Sequence, residues 1–411
     1  MGDKNIQSCP YYQAQTGGNR ILNSRVYKWN GVDDFNKVQD IETIGASDWT
    51  AFEMSGEHYL AVANAYGYDG SNPATHTGNV DSVVYKWNGA QFDEITAQRI
   101  PTKKARHWEF FEVSGERYLA MANNELDICC SAATHDGNIN STVYKWNGLR
   151  FDPFQSIPTK RAQWLESFEI SGERYFAVAN YKDTDIPSDG MTEFDIYSII
   201  YKWDVSRFVE FQSIRTKGAK EWKAFEISGD QYLAVANAKG DSKVYKWDGA
   251  RFDESTAQSI PTDGTGGTWS TNSLAFFEMS GYQYLGFSNF NMDSKLYRWN
   301  GAQFDEVYTI PALAPDSVTF GIRRWEPFEM SGVQYAVFAN SKDRTTSPHN
   351  REIDSVVYRL SCVPPCSLGD SVPCPTGEMC AGNQCCADGS TCPSAQNSFT
   401  GCSSGKGYDC R

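Results

Sequence analysis

The sequence is short of positive charge, of long apolar runs and of helix-forming segments. Its 37 Lys and Arg residues are outnumbered by 51 Asp and Glu, which gives a formal net charge of −14 at pH 7. A charge of this sign repels phosphate backbones and anionic lipid surfaces, so nucleic acid is not predicted as a partner. No run of about 18 apolar residues occurs, and no segment is therefore predicted to span a membrane.

Catalytic signatures are also missing. The sequence holds five His and contains no HExxH, no Gly-x-Ser-x-Gly and no glycine-rich phosphate loop between a strand and a helix. Metal-dependent hydrolysis, serine-based hydrolysis and nucleotide binding commonly carry these arrangements. The prediction is a protein that is not an enzyme, with no catalytic residues and no required cofactor.

Cysteines are concentrated at one end of the chain. The opening segment MGDKNIQSCP lacks the hydrophobic stretch of a signal peptide, which fits either an intracellular protein or a chain whose signal is absent. Nine of the 12 Cys nevertheless fall in the last fifty residues, a density typical of a disulfide framework made in an oxidising compartment. We therefore predict a secreted or cell-surface protein. The disulfide candidates are Cys9, Cys129, Cys130, Cys362, Cys366, Cys374, Cys380, Cys385, Cys386, Cys392, Cys402 and Cys410.

Since nine is an odd number, one cysteine of this C-terminal group should pair elsewhere. Its partner would be Cys9, Cys129 or Cys130, or a cysteine of another chain. The pairing pattern itself does not follow from the spacing.

What the sequence does have is aromatic and repetitive. It contains 12 Trp, 22 Tyr and 23 Phe, a composition that favours packed β-sheets. A motif close to Tyr-Lys-Trp occurs seven times, with its tyrosine at Tyr27, Tyr85, Tyr144, Tyr201, Tyr245, Tyr297 and Tyr358. Residues 222–262 show the full unit: WKAFEISG, QYLAVANAKG, DSKVYKWDG and RFDESTAQSIPT, each segment closed by turn-forming residues. Four strands per unit is the prediction.

The unit length is typical of propeller blades. The predicted fold is all-β: a seven-bladed β-propeller of four-stranded antiparallel blades over residues 1–361, followed by a small disulfide-rich module over residues 362–411. Seven blades follow from counting the Tyr-Lys-Trp slots, with NIQSCP standing in for a missing first strand. Six blades are the alternative, because the Phe-Glu segment recurs only six times and an N-terminal strand would then complete the last blade.

Tryptophan placement predicts a packing role. Six Trp lie in the Tyr-Lys-Trp slot and the other six precede the Phe-Glu segment, at Trp49, Trp108, Trp164, Trp222, Trp269 and Trp325. Side chains two apart on a strand share a face, so each Tyr and Trp pair should be buried against a neighbouring blade. Ser-Gly pairs between the first two strands predict tight hairpins with positive φ.

The ordered pattern FEISG, YLAVAN, Ser-x-Val-Tyr-Lys-Trp-Asn/Asp-Gly and Gln-Ser-Ile-Pro-Thr resembles the EAR repeats, also called EPTP repeats, over roughly residues 9–360. These repeats occur in leucine-rich glioma-inactivated proteins, thrombospondin-type laminin G and EAR repeat proteins, and the very large adhesion receptor. The resemblance implies a seven-bladed extracellular propeller that binds receptors or ligands without catalysis. The tail looks like cysteine-rich modules of secreted protist proteins.

Two kinds of site remain candidates. Glutamates after the Phe of the first strand would form a ring near the axis and are weak Ca²⁺ candidates: Glu53, Glu112, Glu169, Glu226, Glu278 and Glu329. The favoured alternative is that each Glu is hydrogen-bonded to backbone or Trp of a neighbouring blade. Asn140 begins the sequence Asn-Ser-Thr and is the predicted glycosylation site.

The function predicted is non-catalytic: an extracellular propeller that mediates protein–protein interaction or adhesion. Long loops between second and third strands, at residues 66–80, 124–139 and 181–196, are the predicted binding face, because partner contacts commonly lie in loops on a rigid scaffold. One alternative is a subunit that self-associates into a fibre through incomplete edge blades. A propeller hydrolase is the third and least favoured interpretation.

Overall fold

A computed structural model of the chain describes residues 21–31, 34–65, 67–68, 76–77, 79–124, 138–183, 192–262, 271–289, 293–310, 322–330, 333–340 and 356–359. Every regular element in these ranges is a β-strand. The chain forms two compact units, Met1–Pro261 and Thr262–Arg411. All 12 cysteines, the NIQSCP segment and the predicted module at 362–411 lie outside the described residues.

The first unit contains five main sheets, all antiparallel. Sheet 1 is formed by β1 (Ile21–Trp29) and β2 (Phe35–Ile44). Sheet 2 is formed by β3 (Ala46–Met54), β4 (Glu57–Asn64), β7 (Asn79–Trp87) and β8 (Phe92–Lys103), with a separate ribbon of β5 (Gly67–Tyr68) and β6 (His76–Thr77) between β4 and β7 in sequence. Sheet 3 is formed by β9 (Ala105–Val113), β10 (Glu116–Asn123), β11 (Asn140–Trp146) and β12 (Phe151–Pro158). Sheet 4 is formed by β13 (Trp164–Ile170), β14 (Glu173–Ala179), β15 (Asp195–Asp204) and β16 (Arg207–Lys217). Sheet 5 is formed by β17 (Ala219–Ile227), β18 (Asp230–Asn237), β19 (Ser242–Lys246) and β20 (Gln258–Ile260).

The second unit contains two sheets in the described residues. Sheet 6 is formed by β21 (Thr271–Met279), β22 (Tyr282–Asn289), β23 (Ser294–Trp299) and β24 (Phe304–Ile310). Sheet 7 is formed by β25 (Ile322–Met330), β26 (Val333–Asn340) and β27 (Val356–Arg359). Each of the seven sheets holds one Tyr-Lys-Trp slot, and β1 and β27 belong to different sheets. The prediction of successive four-stranded antiparallel blades is confirmed for sheets 2 to 6.

The first two strands of sheets 2 to 6 are joined by the predicted hairpin. In sheets 2 to 6 the loop is a two-residue Ser-Gly pair; Ser114, for example, has φ 52° and Gly115 has φ 78°. Positive φ at both positions is the condition for a type I′ turn, whose twist matches that of the flanking strands. The sixth pair, Ser331–Gly332, lies outside the described residues.

Tryptophans join successive sheets of the first unit. Trp108 and Trp222 are fully buried, and each indole N–H donates to a carbonyl of the preceding sheet, at 2.9 Å to Val62 and at 3.1 Å to Val178. Tryptophans of the Tyr-Lys-Trp slot also contact the preceding sheet: the Trp203 ring in sheet 4 lies 5.4 Å from the Tyr118 ring in sheet 3. The predicted packing role of these residues is confirmed.

Among the described residues one tryptophan departs from the predicted pattern, whereas Trp269 lies outside them. In sheet 4 the position equivalent to Trp108 is taken by Leu165, which is buried, and Trp164 lies one residue earlier. A shift of one residue moves a side chain to the other face of a strand. Trp164 accordingly stacks on His107, with ring centroids 3.3 Å apart. Trp164 therefore packs between sheets as predicted, but it does so from the opposite face of its strand.

A glutamine also links each pair of successive sheets in the first unit. The Gln155 side-chain amide donates to the carbonyl of Phe208 at 2.8 Å and accepts from its N–H at 2.9 Å. The same pair of bonds joins Gln39 to Phe92, Gln98 to Phe151, and Gln212 to Phe252. The last strand of one sheet is thereby fixed to the segment that begins the last strand of the next, or precedes it as Phe252 does in sheet 5.

Candidate functional site

The six predicted glutamates lie at the hairpin end of the strands, meaning the end that carries the Ser-Gly turns. All six are exposed. Each contacts the residue five positions later, across its own hairpin: Glu112 pairs with Arg117 at 3.1 Å, and Glu226 accepts from Gln231 at 2.6 Å. The equivalent contacts are Glu53 with His58, Glu169 with Arg174, Glu278 with Gln283, and Glu329 with Gln334. These contacts differ from the predicted bonds to a neighbouring blade, and the Ca²⁺ assignment stays a prediction.

A different set of polar residues is partly or fully buried on the first strands. In the first unit β3, β9, β13 and β17 lie side by side. Their side chains two and four positions before the Phe of the Phe-Glu segment are polar in most copies, and they form what we call the inner cluster. Its members are Asp48, His107, Glu109, Glu166, Glu221 and Lys223.

Two carboxylates of the inner cluster bridge three sheets. Glu109 accepts hydrogen bonds from the Ser167 N–H at 2.9 Å and the Ser167 hydroxyl at 2.7 Å. Glu166 accepts from the Ala224 N–H at 3.1 Å and lies 3.4 Å from the ammonium group of Lys223. Burial, followed by repulsion from the Glu166 carboxylate, raises the pKa of Glu109 to about 8. The Glu166 carboxylate raises the pKa of Lys223.

The other half of the inner cluster is an aromatic and imidazole stack. His107 Nε2 lies 3.8 Å from an Asp48 carboxylate oxygen, and both side chains are less than a tenth exposed. His107 Nδ1 accepts from the Leu165 N–H at 3.4 Å, which fixes the ring orientation. The Trp164 indole covers the imidazole and donates to Glu166 at 3.3 Å. These groups therefore interact with one another across sheets 2, 3 and 4.

The other end of the strands, which we call the connection end, is held by a recurring hydrogen-bond network. In sheet 3 the Asn123 N–H donates to the Ser141 hydroxyl at 3.2 Å, and the Asn123 amide donates to the carbonyl of Asn140 at 3.0 Å. The Ser141 and Thr159 hydroxyls lie 3.0 Å apart. The backbone of Asn140 is thus fixed while its side chain is exposed, a geometry compatible with the predicted glycosylation.

Two aromatic side chains of a predicted binding loop lie at the connection end. The loop at residues 181–196 is described at both its ends, where the Tyr181 and Phe194 rings meet at 5.6 Å in an edge-on arrangement. Burial raises the pKa of the Tyr181 hydroxyl, against the opposing effect of Arg106 and Arg161. Residues 66, 69–75, 78, 125–137 and 184–191 of the three predicted loops lie outside the described residues.

A groove of about 500 Å³ lies at the hairpin end of sheet 2, lined in part by Trp87, Lys86 and His58. Its charged groups already have partners within the groove: Lys86 lies 3.4 Å from Glu57, and Asp93 accepts from the Thr96 hydroxyl at 2.6 Å. Within the described ranges no group of three or more His, Cys, Asp or Glu side chains is arranged to hold a metal ion. None of the described elements is a helix able to cross a bilayer.

Sequence reasoning found the exposed glutamates but missed the inner cluster. The available signal was strand alternation: in EFFE and ESFE the half-buried Glu109 and the buried Glu166 stand two residues before the Phe, on the face opposite the packing Trp or Leu. The glutamine of Gln-Ser-Ile-Pro-Thr was part of the recognised pattern, but no role was assigned to it. Its partner is a backbone group about 53 residues away in most copies, which no local pattern reveals.

Comparison with known proteins identifies the repeat. The EPTP domain model matches residues 34–88, 95–147, 150–204, 207–248 and 258–300. The mouse (Mus musculus) thrombospondin-type laminin G domain and EAR repeat-containing protein is 33% identical over 381 residues, covering 79% of this chain and 47% of that protein. Mouse leucine-rich repeat LGI family member 3 is 25% identical over 291 residues, covering 61% of this chain and 47% of that protein. The chain thus spans about half the length of these curated relatives.

Two solved structures share the fold. A periplasmic gluconolactonase from Pseudomonas aeruginosa superposes with a TM-score of 0.53 at 15% identity, covering 82% of this chain and 88% of that one. A putative 6-phosphogluconolactonase from Bacteroides fragilis superposes with a TM-score of 0.54 at 10% identity, covering 84% and 88%. Both are propellers, and at this identity the likeness concerns the fold alone. The all-β, multi-bladed propeller class is confirmed.

Proposed function

Because this chain belongs to the EPTP domain family, we propose that it is a non-catalytic extracellular β-propeller that binds a protein partner. The observation that carries the proposal is the match of the family model to five successive stretches between residues 34 and 300, which cover most of the described sheets. A rigid scaffold with connections at one end is a common arrangement for partner recognition.

The extracellular location is supported by the sequence rather than by the fold. Nine cysteines in the last fifty residues favour an oxidising compartment. Asn140 offers an exposed sequon side chain, which only secretory-pathway enzymes would modify. Chemical mapping of disulfides in the native protein tests this location directly, and free thiols throughout the C-terminal segment would contradict it.

The non-catalytic assignment is supported by how the inner cluster is bonded. Glu109 and Glu166 both accept hydrogen bonds from the neighbouring sheet, and Glu166 also faces Lys223. Such bonds favour a structural role in joining sheets. A screen of lactone and glycoside substrates should show no turnover, and turnover that is lost in Glu109→Gln would overturn the assignment.

The binding function is testable without knowing the partner. We expect fluorescently labelled full-length chain to bind the surface of cells from the source organism saturably, with competition by unlabelled chain. Mild protease treatment of the cells should remove this binding, because the partner is a protein. Binding that survives protease, or binding that never saturates, would contradict the proposal.

Sedimentation at high concentration tests the fibre alternative, for which ordered polymers are the expected result.

A further inference from the structure

In three turns at the connection end, every charged residue is Lys or Arg. They join β8 to β9, β12 to β13, and β16 to β17, and they read KKAR (103–106), KRA (160–162) and KGAK (217–220). None contains Asp or Glu, although the chain as a whole carries a net charge of −14. We call these residues the basic turn patch: Lys103, Lys104, Arg106, Lys160, Arg161, Lys217 and Lys220.

Direct contacts connect the three turns. Asn124 joins the first turn to the second, because its N–H donates to the carbonyl of Lys103 at 3.1 Å and its amide donates to the carbonyl of Arg161 at 3.0 Å. Tyr181 joins the second turn to the third: its N–H donates to the carbonyl of Lys160 at 3.0 Å, and its ring lies 3.7 Å from the ammonium nitrogen of Lys220. The three turns of the basic turn patch are therefore adjacent to one another.

Aromatic rings position further ammonium groups beside the patch. The Phe194 ring, which meets Tyr181, lies 5.3 Å from the ammonium nitrogen of Lys182 and 6.0 Å from that of Lys239. Rings hold cations at about this distance through their quadrupole, which restricts otherwise flexible side chains. Lys182 also pairs with Glu193 at 2.6 Å, and Lys160 pairs with Asp183. Some of the cations are thereby held in place.

Two of the basic residues in these turns have a strained backbone conformation. Lys104 and Arg161 both have φ 50°, in the left-handed region that costs a side chain about 1 kcal/mol or more. The equivalent turn positions in the neighbouring copies are Gly45 and Gly218, with φ 59° and 67°. Glycine would satisfy the turn without strain. Lys104 is 8% exposed and Arg161 is half-buried, and the strain retained at both turns points to a use for these two cations beyond closing the turn.

The charge distribution favours a short anionic ligand over a long one. Beyond the patch the protein is strongly acidic, and electrostatic repulsion acts over about 8 Å at physiological salt. A long polyanion would extend from the patch onto acidic surface and be repelled there. A short acidic segment on a folded partner keeps its charge over the three basic turns, where complementary charge also speeds association.

We propose that the basic turn patch docks a short segment rich in Asp and Glu on a protein partner. This inference rests on the proposed function, since it assigns the chemistry of the partner and the part of the surface that receives it. Carboxylates would pair with the exposed Lys103 and Lys217, while the half-buried Arg106 and Arg161 add positive charge and Tyr181 and Phe194 provide the apolar floor.

The test uses full-length chain and a fluorescein-labelled decaglutamate peptide, with fluorescence anisotropy as the readout. The patch variant is Lys103→Gln, Lys217→Gln and Lys220→Gln, which leaves the Lys160 to Asp183 pair intact. The matched control is Lys86→Gln, Lys145→Gln and Lys202→Gln, which removes the same charge from the hairpin end. These control lysines lie near Glu57, Glu116 and Glu173.

Decaglutamate should bind the wild type and decaglutamine should not. The patch variant should lose about tenfold in affinity, the control less than about twofold, and the wild-type affinity should fall with salt. Absence of decaglutamate binding at low salt, an equal loss in the control, or tighter binding of a heparin oligosaccharide would each overturn the inference. If the wild type shows saturable cell-surface binding and the patch variant keeps it in full, only this inference is overturned. If the wild type shows no such binding, the proposed function itself is overturned.

Discussion

The faces between sheets and the turns that join one sheet to the next differ in how closely the copies repeat one another. Between sheets the same residues recur: Trp108 and Trp222 make the same buried hydrogen bond to the preceding sheet. At the connection end one turn position is Gly45, Lys104, Arg161 or Gly218 in successive copies. Repetition therefore marks the interactions that hold sheets together, and variation marks the surface free to acquire a binding role.

The largest expected effect comes from crowding a tryptophan in the second unit. A Cβ added at Gly286 would lie 1.3 Å from Cζ2 of Trp325, whereas the equivalent position in sheet 4 is the buried Ala177. Gly286→Ala should lower the free energy of unfolding by about 3 kcal/mol, measured by urea denaturation. As a control, Ala177→Gly should cost about 1 kcal/mol. A Gly286→Ala protein of unchanged stability would show that Trp325 is not closely packed against Gly286.

Removing a glutamine link should have the next largest effect. Gln155→Leu leaves both the N–H and the carbonyl of Phe208 without their side-chain partner and should cost about 2 kcal/mol in urea denaturation. Gln231→Leu removes a side chain that bonds the exposed Glu226, and should change stability by less than about 0.5 kcal/mol. Equal effects of the two changes would argue against the link between sheets.

The inner cluster should make stability depend on pH. Because the pKa of Glu109 is raised from 4.5 to about 8 in the folded protein, the folded state binds the proton more tightly than the unfolded state. The free energy of unfolding should therefore fall as pH rises from about 4.5 to about 8. Glu109→Gln should flatten this decline, and Glu112→Gln, at an exposed site on the same strand, should not. Parallel profiles for the wild type and Glu109→Gln would contradict the assignment.

The smallest effect is expected at the hairpin turns, where strain is shared by every described copy. Ser114 has φ 52°, which glycine adopts without steric cost. Ser114→Gly should raise the free energy of unfolding by about 0.5 kcal/mol, because relief of strain slightly exceeds the entropy cost of a second glycine. Gly115→Ala should lower it by about 1 kcal/mol. A destabilising Ser114→Gly would show that the serine hydroxyl contributes more than the strain costs.

Most features of the fold could be predicted from the periodicity of the sequence. The recurrence of Tyr-Lys-Trp and Ser-Gly predicts the strand number, the hairpins and the inter-sheet role of Trp203 and Trp222, since each follows from local chemistry. The exception at Trp164 shows the limit, because a shift of one residue reverses the face while leaving the composition unchanged.

The candidate site was harder to predict than the fold. Lys103, Lys160 and Lys217 stand 57 residues apart, and each turn holds only two or three cations. No basic run appears in the sequence, and the negative net charge suggests the opposite. Only the stacking of sheets brings these turns together, through contacts such as those of Asn124.

The most direct test of the sheet-bridging role is a double-mutant cycle between Tyr118 in sheet 3 and Trp203 in sheet 4, whose rings lie 5.4 Å apart. Urea denaturation of the wild type, Tyr118→Leu, Trp203→Leu and the double variant gives the coupling free energy. A favourable coupling of about 1 kcal/mol is predicted for two rings that join neighbouring sheets. A coupling indistinguishable from zero would contradict the claim that the recurring aromatics hold the sheets together.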